Sequence, residues 1–162
     1  MLRKTFVQVT LCGLLFLGSH VVAGAQAATA KHSLVGSWEF TEQPNSNAAE
    51  AFAVAGLATF LPSGNVIETD TSEAALGLTP GHGIWQPSPV FGHLFIRFTS
   101  LVANRDGSLR AKRIVTMTVA LNSTGDEFTG GYSFEVVDPT AHVITTGSGT
   151  VDGRLMVHPL LP

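Results

Sequence analysis

From Leu34 onward the chain is a succession of short segments in which every second residue is apolar, separated by polar turns rich in Gly, Pro, Asn and Asp. An apolar period of two belongs to strands buried on one face, whereas a helix would bring its apolar residues round every three to four positions. No segment carries a convincing helical pattern. The chain is therefore expected to be all-β.

Residues 34–41 place Gly36, Trp38 and Phe40 on one face and Val35, Ser37 and Glu39 on the other. The alanines of 50–61 would suit a helix, but Phe52, Val54, Gly56, Ala58 and Phe60 alternate, and Gly56 would weaken a helix. Pro62-Ser63-Gly64-Asn65 then turns the chain into a return strand at 66–70, making 50–70 a hairpin. The longest irregular segment is 71–83, with room for one helical turn at 73–78. Ile84-Trp85-Gln86 opens the next strand, which Pro87 and Pro89 stop. In 91–104, Phe95, Arg97, Thr99 and Leu101 lie opposite Leu94, Ile96, Phe98 and Val102. Arg105-Asp106-Gly107-Ser108 is the clearest hairpin signal, and its partner 109–121 carries Val115, Met117, Val119 and Leu121 on one face. Residues 128–137 put Phe128, Tyr132, Phe134 and Val136 inward, and 142–157 completes the sheet as two strands or as one bent at Gly147 and Gly149. Eight or nine evenly spaced strands joined mostly by hairpins fit a single antiparallel up-and-down β-barrel, which abolishes exposed sheet edges. A β-sandwich would need long crossing connections, and only 71–83 is long enough for one.

Ahead of the strands, residues 1–27 read as a secretory signal peptide. Arg3 and Lys4 form a charged start, 7–22 is an apolar run, and Ala25-Gln26-Ala27 fits the small-x-small cleavage pattern. The run is too short and too interrupted to span a bilayer as a retained anchor. The expected mature protein is one domain over residues 28–162, secreted or periplasmic. The single cysteine, Cys12, falls within the leader, so closure of the sheet and the core must replace disulfides. Twelve acidic against nine basic residues, two of the basic ones in the leader, argue against a nucleic-acid partner or an anionic membrane surface. Arg105, Arg110, Lys112 and Arg113 flank a turn and read as a solvated hairpin end.

Gly36-Ser37-Trp38 resembles the Gly-x-Trp signature that opens lipocalins and the wider calycin group. In those barrels an Arg at the end of the last strand packs across the Trp, and Arg154 stands in the matching place within 149–154. The stretches 58–69 (Ala-Thr-Phe-Leu-Pro-Ser-Gly-Asn-Val-Ile-Glu-Thr), 80–85 (Pro-Gly-His-Gly-Ile-Trp) and 126–130 (Asp-Glu-Phe-Thr-Gly) resemble small exported bacterial lipocalin-like proteins, mostly without assigned function. The barrel outline is also similar to that of allene oxide cyclase. The resemblance implies a calycin-like barrel with a lumen for a small ligand, and a structural Trp38–Arg154 pair closing its narrow end through a cation–π contact.

Among polar candidates, His82 lies between two glycines that let its backbone approach a cavity closely, which suits a hydrogen-bonding group or general base at the barrel mouth. The competing reading is a ring that pins the start of the Ile84 strand. Trp85, Phe95 and Arg97 complete the ligand-binding candidates. Glu68 and Glu135 are strand carboxylates that matter only if they face inward, where burial is costly unless they are paired; parity turns Glu135 outward. His93, His142 and His158 lack metal-site spacing, no cofactor fingerprint occurs, and no catalytic motif is present. The expected function is binding of a small apolar or amphipathic ligand in the lumen. The alternatives are a cofactor-free cyclase or isomerase that shapes a reactive apolar substrate, and a structural or interaction domain of the envelope. The volume and lining of the lumen separate them: a lumen packed solid with side chains counts against ligand binding, two candidates converging on a cavity point to an enzyme, and a filled lumen with an apolar patch outside points to an interaction domain.

Overall fold

A computed structural model describes residues 33–45, 53–90 and 92–156, so the expected leader lies outside the described residues. The described residues form eight strands: β1 (Gly36–Pro44), β2 (Val54–Phe60), β3 (Asn65–Asp70), β4 (Gly81–Pro87), β5 (His93–Ala103), β6 (Leu109–Leu121), β7 (Glu127–Val137) and β8 (Val143–Leu155). Each pairs antiparallel with the next, and β1 pairs with β8 from Trp38↔Leu155 to Pro44↔Gly149, closing an up-and-down barrel. The expected fold class holds, with the smaller of the two strand counts. Residues 143–155 form one strand.

Turns occur where the residues allow them. Gly64 and Gly107 adopt φ of 85° and 83°, a region that admits glycine without a Cβ clash, and they close the β2–β3 and β5–β6 hairpins. The long connection between β3 and β4 carries the single described helix, α1 (Ser72–Leu76), which ends at Gly77 with φ 67°.

Large inward aromatics stand opposite inward glycines on neighbouring strands. Phe40 faces Gly56, Phe128 faces Gly153, Tyr132 faces Gly149 and Phe134 faces Gly147. A Cβ at Gly56 would lie 2.2 Å from the Phe40 ring, and one at Gly153 would lie 2.2 Å from that of Phe128. The rings thus occupy the space that the missing side chains leave.

The lumen has two halves. Around the start of β1, Leu34, Trp38, Phe60, Val66, Leu94, Val119 and Phe128 pack into an apolar core. Toward the end that bears α1, the inward positions of β1, β3 and β6 change character and become Glu42, Glu68 and Arg113.

Trp38 is fully buried, lies 5.1 Å from the Phe128 ring at a tilt of 41°, and donates its indole N–H to the Leu34 carbonyl at 2.7 Å. The expected contact with Arg154 is not made. Inward positions on β8 are Gly147, Gly149, Val151, Gly153 and Leu155, so Arg154 projects outward, where it pairs with Glu127 at 2.9 Å with 75 % of its side chain exposed. Solvent screening leaves so open a pair little energy. Arg154→Ala should therefore shift stability by less than about 1 kcal/mol in a chemical melt.

Candidate functional site

Strand parity puts most of the sequence-derived candidates outside the barrel. His82 is exposed on the outer face of β4. Its flanking glycines serve packing instead: a Cβ at Gly81 would meet Glu68 and the Phe98 ring at 2.6 Å, and one at Gly83 would lie 1.9 Å from the Arg97 carbonyl oxygen. Arg97 and Phe95 alternate with the buried Leu94, Ile96 and Phe98, so they too face outward. Trp85 faces inward at the apolar end, edge-on to Phe60 at 6.3 Å, with its indole N–H donated to the Leu61 carbonyl at 2.9 Å. His82, Trp85 and Arg97 therefore do not converge on one cavity.

The barrel instead gathers ionisable groups at the opposite end of the lumen. Arg113 is 6 % exposed, which corrects its reading as part of a solvated hairpin end; it follows Ala111 and precedes Val115 and Met117 on the inward face of β6. Its guanidinium donates to Glu42 Oε2 at 3.1 Å and to Asp70 Oδ2 at 3.0 Å, and it lies 5.4 Å from the centre of the Phe134 ring. Arg113 thereby ties β6 to β1 and β3. Asp70 also accepts from the backbone N–H and hydroxyl of Ser72, which anchors the first turn of α1, while Glu73 accepts the Asp70 N–H at 3.2 Å. Glu68 lies two residues before Asp70 and is 2 % exposed, its Oε2 resting over Gly81. Oε1 of Glu42 and Oε1 of Glu68 are both buried and accept no hydrogen bond.

Two carboxylates thus hold one guanidinium, and a third acidic group, Glu68, lies near enough to feel its charge. Burial pushes the Glu68 carboxyl up to about 9, helped by Asp70 and Glu42 and opposed by Arg113. Burial likewise raises Glu42 to about 7, outweighing the attraction of Arg113. Desolvation also raises the Tyr132 phenol, with Glu42 adding to it. At neutral pH Glu68 is a neutral acid in a largely apolar surround, able to donate a proton or a hydrogen bond. Among the described residues, no group of His, Cys, Asp or Glu side chains is placed to hold a metal ion.

Stability follows from these shifts. Both carboxyls titrate higher in the folded than in the unfolded chain, so the folded protein holds extra protons above the ordinary range near 4.5. Their stabilising contribution is complete below that range. It is lost as pH rises through about 7 for Glu42 and about 9 for Glu68, with a slope of up to about 1.4 kcal/mol per pH unit for each group. Thermal melts should show the highest melting temperature in mild acid and a decline toward alkaline pH. Glu68→Gln, which cannot ionise, should flatten the part of that decline above neutrality. Superimposable profiles for parent and variant would rule out Glu68 as its source.

Little free space remains inside. The lumen retains a void of about 10 Å³ beside Glu68, with Phe40, Phe60, Phe98, Met117 and Phe128 among its walls. That is about the room of one water molecule. A shallow groove of about 780 Å³ lies outside, across β7, β8, β1, β2 and β3, flanked by Glu39, Leu57, Glu127, Asp152 and Arg154.

Glu42, Asp70 and Arg113 were not among the candidates drawn from the sequence. Each sits in phase with inward apolar neighbours, as Trp38 and Phe40 precede Glu42, so extending the alternation by one step along each strand would have found them. No protein-family model, curated protein or solved structure matches the chain.

Proposed function

We propose that the protein is an exported barrel that takes a small amphipathic molecule into its lumen, with the Glu42–Glu68–Asp70–Arg113 cluster as the recognition group. The observation that carries this reading is the pair of buried carboxylate oxygens, on Glu42 and Glu68, that accept no hydrogen bond. A core whose only task is stability gains nothing from them. Replacing buried ionic groups by well-packed apolar ones is often neutral or stabilising, and an unpartnered buried acceptor costs about 1–3 kcal/mol. The apolar half of the lumen, running from Glu68 toward Trp38, supplies the wall for a hydrocarbon part. The likeness of Gly36-Ser37-Trp38 to the opening of calycins, which hold ligands in this way, agrees with the same reading, as does a leader suited to export.

Because the void is small, a ligand must displace side chains, and Met117, with its flexible thioether chain, is the wall residue best suited to yield. Native mass spectrometry of the purified protein with fatty acids, alkylamines and hydrophobic dyes tests the proposal. A stoichiometric complex supports it, and its uniform absence rejects it.

The filled lumen and the outer groove favour a second reading, an interaction domain that acts through its surface. In that case Glu39→Gln with Asp152→Asn would abolish partner binding, and Glu68→Gln would leave it unchanged.

A further inference from the structure

We propose that the head group recognised at the polar end of the lumen is a primary ammonium, bound by Glu68 in the small void that its carboxyl lines, with its alkyl tail displacing apolar wall side chains such as Met117; this rests on the lumen reading above. The charge count comes first. Glu42 on β1, Glu68 and Asp70 on β3 and Glu73 on α1 are set against Arg113 on β6 alone, with the Tyr132 phenol on β7 alongside. Among the described residues β2, β4, β5 and β8 turn no ionisable side chain inward. The guanidinium already has two carboxylate partners, and an anionic head would add negative charge to a site with more acidic than basic groups.

Hydrogen-bond chemistry narrows the class. Once Glu68 has given up its proton, the unfilled capacity consists of acceptors, the buried carboxylate oxygens of Glu42 and Glu68. A hydroxyl brings one donor, a quaternary ammonium none, and a primary ammonium three. A charged donor to a carboxylate also makes the stronger kind of hydrogen bond. The space next to Glu68 admits only a small head, and every other residue bounding that void is apolar: Phe40, Ala58, Phe60, Val66, Ile96, Phe98, Met117 and Phe128.

Binding should exchange one cation for another. In the free protein Glu68 carries a proton at neutral pH. When the ammonium arrives, that proton leaves to buffer and the carboxylate pairs with the incoming N–H groups, so about one proton is released per ligand.

Isothermal titration calorimetry at about pH 8, where an alkylamine is protonated, tests this in two buffers of different ionisation heat. The probes are hexylamine, hexanol, hexanoate and hexyltrimethylammonium. The expected result is saturable binding of hexylamine in preference to the other three, with a buffer-dependent heat that reports about one proton released. Glu68→Gln should weaken it at least roughly tenfold and abolish the proton release, while Glu39→Gln with Asp152→Asn on the outer groove should leave it unchanged. Equal or tighter binding of hexanol, hexanoate or the quaternary amine would overturn the ammonium assignment and leave the lumen reading standing. Hexylamine binding that ignores Glu68→Gln, or that releases no proton, would also overturn the assignment. Binding of none of the four would overturn the ammonium assignment, and absence of any complex in the wider native mass spectrometry panel as well would reject the lumen reading.

Discussion

Arg113→Met is expected to destabilise the barrel by about 3–5 kcal/mol at neutral pH, the range for breaking a buried ion pair by removing one partner. Met keeps much of the stem volume, so the loss isolates the charge. Without the guanidinium, Glu42 and Asp70 are left at the polar end with Glu68 close by, and β6 is no longer tied to β1 and β3. The deficit should shrink in mild acid, where the orphaned carboxyls can take up protons. Adding Glu42→Gln and Asp70→Asn should recover a large part of it, because amides carry no charge to bury. Urea melts of the single and triple variants at neutral pH and near pH 5 make the comparison. A single variant as stable as the parent would mean that the cluster is solvated in solution.

Trp38→Ala should cost about as much, roughly 3–5 kcal/mol, for a different reason. Trp38 has no exposed surface, stacks at a tilt against Phe128, and is pinned to Leu34 by its indole N–H. Truncation opens a cavity at the apolar end and leaves a buried carbonyl without its donor. Trp38→Phe separates the two effects: it keeps most of the apolar volume, so its cost should fall to about 1–3 kcal/mol, the size of the unsatisfied carbonyl. Chemical melts of both variants measure the difference. An alanine variant that melts like the parent would remove Trp38 from the core.

The fold was readable because its main determinant is local. Alternation along 109–121 and the turn residues at 105–108 define a hairpin without reference to the rest of the chain, and the same holds from strand to strand. What a side chain meets across the lumen is not local. Arg113 sits in a run of basic residues, so its neighbours Arg110 and Lys112 suggest solvent, while its parity with Val115 and Met117 places it inside. Arg154 shows the converse: the resemblance to calycins placed it across Trp38, and a count back from Leu155 places it outside. His82 stays ambiguous in the sequence because glycines on either side permit two things, approach to a ligand or approach to a neighbouring strand, and only the positions of Phe98 and the Arg97 backbone decide between them.

The aromatic–glycine pairs also limit how the barrel can close. Sliding β8 along β7 by two residues would keep every inward side chain inward, so the apolar pattern alone does not forbid it. Such a slide would set Phe128 against Val151 or Leu155 in place of Gly153, where a side chain already fills the space its ring needs. The same slide in the direction that brings Tyr132 level with Val151 fails a second time. Alternative staggers are thus excluded by shape. Since stagger and strand number together determine the width of a closed sheet, the spacing of Gly147, Gly149 and Gly153 along β8 helps to set the bore of the lumen, and with it the girth of any molecule that could pass inside.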